Sequence, residues 1–523
     1  MTIRSEHVDV LIVGAGVSAS IFAAVLAKAG RKVVMLEAGK ERTNAHLISS
    51  QVFARRNHWY GSQVIEKGNH PINFPMNAGQ GTGGAGMHQD ACWPRFHIED
   101  FTMAHDHGVG LDWPIGYDDL RPFYDRVQSE VGISGDAAAE VWRPPGEPYP
   151  LPPVNEFTQG RLLRRGFEAL GMRVAPVPVA INTRPYNGRP ACLYDGWCEA
   201  GCPIGALANP LATYLDAALR SGATVRHEST ATRILTDRKG GRVLGAAYVD
   251  AHGQQRTQSA SVTVLAAFGI QNAKLLLLSG GGGHKNGLSN RSGLVGKYIM
   301  THLAAPIQSL FDEPTESYLG ITAGQLICQD DYRKDGRGSA FGSYQWLIAN
   351  STKPNDIIGL ANAKPGIFGP ALHSFLKDAA QHYAGMVAVI EDLPVKTNQV
   401  RLGSAKDKFG IPLAEVTHTV DDRSLALKEH VVEEGKKILK AAKPRDVWAS
   451  GFGTMHCMGG TVMGKNAADS VVNSYGQSHE IANLYIAGAG LFPTSAGVNP
   501  TFTISAVSTR GAEHLAANWS DHV

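Results

Sequence analysis

Residues 8–37 constrain the fold more than any other stretch of the chain. VDVLIV (8–13) reads as a buried strand, Gly14 and Gly16 as a tight turn, Val17 to Ala27 as a helix of small apolar residues, and Lys32 to Leu36 as a second strand ending at Glu37. Strand, glycine turn, helix, strand and acid in that order make a βαβ opening. The glycines let backbone approach a pyrophosphate at the helix N-terminus, and the acid can accept hydrogen bonds from a ribose. The third fingerprint position is Ala19 instead of glycine, so the G-x-G alone is weak and its ordered context carries the nucleotide reading.

A chain of 523 residues with 43% hydrophobic and 18% charged residues can bury a large core, and two or more lobes are expected. Net charge is +2 and the Lys and Arg residues are scattered, which excludes the basic footprint of a nucleic-acid binder. The longest apolar region, 8–30, is broken by Gly14, Gly16 and Lys28, so no transmembrane helix is expected. The N-terminus shows no basic region, apolar core and cleavage site, so export would depend on something else. Cys92, Cys328 and Cys457 are dispersed, whereas Cys192, Cys198 and Cys202 crowd into eleven residues, too lopsided for a disulfide framework.

Further along, 118–131 reads as a helix with Leu120, Phe123, Val127 and Val131 on one face. Residues 145–157 read as a proline-rich connection, strands are expected at 223–229, 242–250 and 259–267, and a glycine turn at 280–283. From about 300 to 420 come strand-like runs, APIQSL, FGSYQWLI and MVAVIEDL, with no helix expected between most of them. They predict a second lobe on a largely antiparallel sheet, followed by a helix near 423–440.

Three blocks, VDVLIVGAGVSASIFAAVLAKAGRKVVMLEAG, AAFGIQNAKLLLLSG and NLYIAGAGLFPTSAGVNPTFTISAVSTRGAEHL, resemble the glucose-methanol-choline (GMC) flavoproteins in order and position. The resemblance implies an α/β fold, with an FAD-binding Rossmann-like domain and a second, substrate-binding lobe on the antiparallel sheet. It places the FAD domain mainly in 1–300, with a cysteine insertion near 182–206, and the substrate domain mainly in 301–445. Residues 446–523 then return to the FAD domain with the catalytic His and Asn. It also implies FAD, with Gly14, Gly16, Glu37, Gly83, Gly84, Gly488 and Thr501 as cofactor-binding candidates.

Carried over by motif, His456 in FGTMHCMGG matches the family's catalytic histidine and Asn499 in SAGVNPTFT its partner. Hydride leaves a carbinol carbon only when the hydroxyl proton is removed, and an imidazole with a reference pKa near ~6.5 can take it at neutral pH. His302 reads as structural, since Thr301 stands where related sequences carry the acid of an Asp-His pair. TGGAGMHQDACWPRF resembles the stretch of pyranose-oxidizing members whose histidine bonds the flavin 8α carbon. The matching His88 either forms that bond or touches the flavin edge non-covalently, because Met87 and Gln89 depart from the pattern.

Residues 182–206 resemble the segment of cytochrome-linked sugar dehydrogenases that holds an iron-sulfur cluster, which makes Cys192, Cys198 and Cys202, spaced C-x5-C-x3-C-P, candidate ligands of a [3Fe-4S] cluster. The alternatives for the trio are a disulfide with a spare thiol, or unligated thiols. The resemblance implies an FAD-dependent dehydrogenase of sugars, glycosides or polyols, working with a small export subunit and a cytochrome c acceptor on the periplasmic side or at the membrane. A sugar oxidase using oxygen, and a non-catalytic electron-transfer or scaffold subunit, are the other readings.

Overall fold

Val8–Val13 and Val33–Leu36 are fully apolar or nearly so on both faces, and they pair in parallel across the crossover helix Val17–Lys28. The turn between them needs glycine. Gly14 has φ +105°, and a Cβ there would lie 2.4 Å from the Ala266 carbonyl oxygen. The computed structural model describes residues 3–522 except 5, 61, 62, 282 and 365, so Gly282 of the expected turn at 280–283 lies outside the described residues.

The first sheet runs Thr224–Arg226, Val33–Leu36, Val8–Val13, Gln255–Leu265, Val243–Val249, Thr230–Thr236, with Leu484–Ile486 also on Gln255–Leu265. Gln255–Leu265 joins two kinds of pairing: its later residues lie parallel to Val8–Val13, its earlier ones antiparallel to Val243–Val249. The strand expected at 223–229 is shorter, because the backbone turns at Glu228 with φ +49°. Thr230–Thr236 was not expected. Ile234 alone is buried there, so the strand carries little apolar alternation.

The second sheet is antiparallel at every pairing, in the order Asp446–Ala449, Met300–Leu310, Tyr383–Glu391, Tyr344–Ile348, Leu326–Cys328, Ala175–Pro176, with Gly453–Met458 also on Met300–Leu310. Leu303, Ile307, Trp346 and Ile390 pack with Leu427, Val431 and Ile438 of the helix Asp422–Ala441 on one face. Ile327, Leu347 and Val389 join the core of the nucleotide lobe on the other. Burial on both faces explains why these strands read as continuous apolar runs. Between Tyr344–Ile348 and Tyr383–Glu391 lie two helices, Pro354–Asn362 and Pro370–His382, for which the sequence offered little signal: each buries a single residue, Leu360 and Ala379. Among the described residues no helix is long and apolar enough to cross a membrane.

Candidate active site

A cavity of ≈ 470 Å³ is lined by Gly14, Gly16, Glu37, Gly84, His88, His456, Gly488, Asn499 and Thr501. Gly83 stands behind its wall, where its amide donates to the Ala15 carbonyl at 2.9 Å and so braces the glycine turn. Two helices begin at the cavity: Val17–Lys28 behind Gly16 and Thr501–Ala517 behind Pro500, neither capped by a side chain among the described residues. Unpaired N–H groups at two helix N-termini favour an anion such as a diphosphate.

The Glu37 carboxylate accepts from three backbone amides, Gly39 and Gly81 at 2.9 Å on Oε1 and Ala15 at 3.0 Å on Oε2. It ties the glycine turn to the loop at 79–84, and one lone-pair direction on Oε2 remains for a ribose hydroxyl. The His88 ring stacks on His58 with centroids 4.1 Å apart. Burial pushes the His88 pKa down to about 3, so the imidazole is neutral, and its buried Nδ1 has no hydrogen-bond partner among the described residues. An orphaned polar atom on an uncapped, glycine-lined cavity fits a flavin nucleotide there. The same wall carries Asp90 and Glu199, which sequence reasoning missed; burial first, then the charge of Asp90, push the Glu199 carboxyl up.

His456 sits in an irregularity of the sheet. Met300 pairs with Met458 but His302 with Met455, so the strand Gly453–Met458 carries one extra residue. His456 takes φ +58° within this bulge, and its amide is held by Asn77 Oδ1 at 2.6 Å. Bulges of this kind re-aim a side chain.

His302, expected to be structural, touches His456 directly, Nδ1 to Nδ1 at 2.9 Å. On its far side His302 Nε2 lies 3.0 and 2.9 Å from the carbonyl oxygens of Ser495 and Ala496. Carbonyls only accept, so Nε2 of His302 carries the hydrogen and its Nδ1 is a lone pair. His456 must therefore donate from Nδ1, which leaves its own Nε2 unprotonated. His302 is buried and His456 half-buried, and desolvation holds His302 at about 4 and His456 well below its ordinary value, so both are neutral at neutral pH. Asn499 Oδ1 accepts from Gln345 Nε2 at 2.8 Å, which leaves the amide hydrogens of Asn499 for the cavity.

Cys192, Cys198 and Cys202 lie outside the cavity lining and are unpaired. Cys198 and Cys202 are buried and Cys192 half-buried. Burial raises all three thiols, Cys192 to about 11, and the charges of its two companions raise Cys198 further. The sulfurs of Cys192 and Cys202 accept from the amides of Tyr194 and Leu207, each at 3.3 Å. Among the described residues no three His, Cys, Asp or Glu side chains converge to hold a single metal ion.

A nucleotide cradle beside an unprotonated imidazole and an amide donor defines the class, an FAD-dependent oxidoreductase acting on CH–OH donors. Two signatures described as GMC oxidoreductase match residues 8–304 and 394–508. The chain is 31% identical to 2-methyl-1,2-propanediol dehydrogenase of Mycolicibacterium austroafricanum, covering 100% of this chain and 98% of that one. It is 29% identical to the fructose dehydrogenase large subunit of Gluconobacter japonicus, covering 98% and 99%. In structure it resembles pyridoxine 4-oxidase, with a TM-score of 0.69 at 17% identity over 98% of this chain and 99% of that one. The chain belongs to the GMC oxidoreductase family.

Proposed function

We propose that this protein is an FAD-dependent dehydrogenase that oxidises a hydroxyl-bearing carbon of a sugar, glycoside or polyol and delivers the electrons to a one-electron acceptor. The observation that carries the reading is the His456–His302 contact, which turns an unprotonated Nε2 toward the cavity. His456 takes the hydroxyl proton, a role worth about 10²–10⁴-fold in rate. Asn499 donates to the same oxygen as negative charge builds on it. Bound FAD supplies the hydride acceptor. Gly14, Gly16, Gly84, Gly488, Thr501 and Glu37 would hold it, braced by Gly83, with His88 the residue that would bond to it or touch its edge.

The trio supports the one-electron outlet. In a [3Fe-4S] cluster each thiolate binds a different iron, so the sulfurs surround a small body instead of converging on one point. Cys192, Cys198 and Cys202 fit this: none is in a disulfide, Cys198 lies within electrostatic reach of both others, and two of them already accept N–H bonds. The relative from Gluconobacter japonicus is named as a large subunit, which supports partner subunits here; in this reading they are a small export subunit and a cytochrome c acceptor, and the location is periplasmic or membrane-associated.

The test is anaerobic flavin reduction by D-fructose, 2-methyl-1,2-propanediol and a panel of mono- and disaccharides, followed by product identification and turnover with ferricytochrome c or with oxygen. Reduction by a carbohydrate and preference for the cytochrome are expected. Equal turnover with oxygen would make it an oxidase, and a flavin that none of these reduces would return it to a non-catalytic role.

A further inference from the structure

Gln345 lies on a strand, Tyr344–Ile348, whose neighbours are apolar on both faces. It pairs with Val389 in the Tyr383–Glu391 strand and shares a face with Leu347, which packs into the nucleotide-lobe core. Gln345 is 0% exposed and Gln329, just past the next strand, 3%. A buried amide without partners is costly, and an apolar residue would serve the fold better at either position. Each amide instead uses its oxygen as acceptor and its nitrogen as donor in one line of hydrogen bonds. His97 Nε2 lies 2.9 Å from Gln329 Oε1, Gln329 Nε2 donates to Gln345 Oε1 at 3.0 Å, and Gln345 Nε2 donates to Asn499 Oδ1 at 2.8 Å.

The line has a direction. An amide oxygen only accepts, so His97 donates at its start, and every later step donates toward Asn499. Run the other way, the same atoms would make Asn499 donate to Gln345 and turn its carbonyl oxygen to the cavity, where it would repel an alkoxide. We propose that Gln345 and Gln329 are positioning residues that set the polarity of Asn499, with His97 as the fixed donor that starts the line. The proposal rests on Asn499 being the donor to the substrate oxygen.

Gln345→Glu tests it, because the shape is kept and the donor becomes titratable. Protonated, the carboxyl accepts from Gln329 and donates to Asn499 Oδ1 as the amide does. Ionised, it has no hydrogen to give, and Asn499 turns its NH₂ toward it. The other titratable groups on this side are His97, Asp100, Tyr332, Lys334 and Glu391, with His302 and His456 on strands further across the same sheet; all are common to the wild type, so the ratio of variant to wild-type rate isolates the new group.

The readout is anaerobic flavin reduction by D-fructose, or by 2-methyl-1,2-propanediol should the sugar fail to reduce the wild type, at a series of pH values. In Gln345→Glu the ratio should approach one at acid pH and fall by roughly 10²–10³-fold as pH rises, the cost of losing one donor to a developing oxyanion. A ratio independent of pH and near one overturns the relay. Asn499→Leu separates the two claims: if it leaves reduction unchanged, the donor role of Asn499 itself is wrong, whereas slow Asn499→Leu with unaffected Gln345→Glu removes only the relay. A neutron structure of the wild-type protein reads the polarity without any variant or substrate. Deuterons on Gln345 Nε2 pointing at Asn499 are expected, and deuterons on Asn499 Nδ2 pointing at Gln345 would refute it.

Discussion

Replacing His302 with leucine removes the acceptor that fixes the His456 tautomer and leaves the rest of the His456 ring in place. In the wild type His456 Nδ1–H is consumed by His302 at 2.9 Å, a residue that is itself fully buried, while the rest of the half-buried His456 ring faces the cavity. Without the acceptor, that N–H is a buried donor with no partner, which costs about 1–3 kcal/mol. The ring escapes the penalty by moving its hydrogen to Nε2, where it points at the substrate hydroxyl and can no longer take a proton. Productive His456 then has to be regenerated at that same cost, so flavin reduction should slow by about 5-fold to about 150-fold. Stopped-flow reduction without oxygen is the assay, because later electron transfer does not enter it. His302→Gln, whose amide can accept from His456 and donate to the Ser495 and Ala496 carbonyls, should recover most of the rate. If His302→Leu reduces its flavin at the wild-type rate while His456→Ala does not, the tautomer argument is refuted although His456 remains the base.

Glu37→Ala frees three buried amides, those of Ala15, Gly39 and Gly81, at about 1–3 kcal/mol each, and should purify largely without FAD. Acid precipitation of the holoenzyme should leave the flavin with the protein, bonded through the neutral imidazole of His88; yellow supernatant would show a non-covalent contact instead. Cys198→Ser should lose iron and acid-labile sulfide while keeping FAD and substrate-driven flavin reduction, and wild-type protein purified without air but free of iron would end the cluster reading. The folded pKa of His302, about 4, lies below the unfolded value of 6.5, so its contribution to stability is intact above pH 6.5 and is lost as pH falls toward 4. That loss reaches roughly 3 kcal/mol at about 1.4 kcal/mol per unit, and His302→Leu should flatten thermal stability against pH in this window.

Where local pattern and global burial agree, the chain can be read directly. The opening βαβ unit was legible because its strands are buried on both faces and its turn demands a glycine at Gly14. The antiparallel second sheet was legible as a class for the same reason, yet its two inserted helices were not. Pro354–Asn362 and Pro370–His382 cover little, and a helix that buries one residue leaves almost no period in the sequence. Thr230–Thr236 failed similarly as a strand.

The site divides along a different line. His456, Asn499 and the glycines stand inside motifs, whereas His302, Gln329 and Gln345 matter through partners brought to them by strand register, and Asp90 and Glu199 meet each other from two irregular stretches. His302 meets His456, and Gln345 meets Asn499, each across 154 positions of chain. What register assembles is a pair of hydrogen-bond lines running in opposite senses. The line through His302 ends on backbone carbonyls that can only accept, so its hydrogens point away from the cavity and it presents a lone pair. The line through Gln329 and Gln345 begins at a donor, so its hydrogens point toward the cavity and it presents an N–H. A carbinol oxygen, which gives one hydrogen and accepts another, satisfies both at once. An ether or carbonyl oxygen gives none and would leave the His456 lone pair buried and unmet, so the polarity of the two lines selects a hydroxyl before any contact with the rest of the substrate is made.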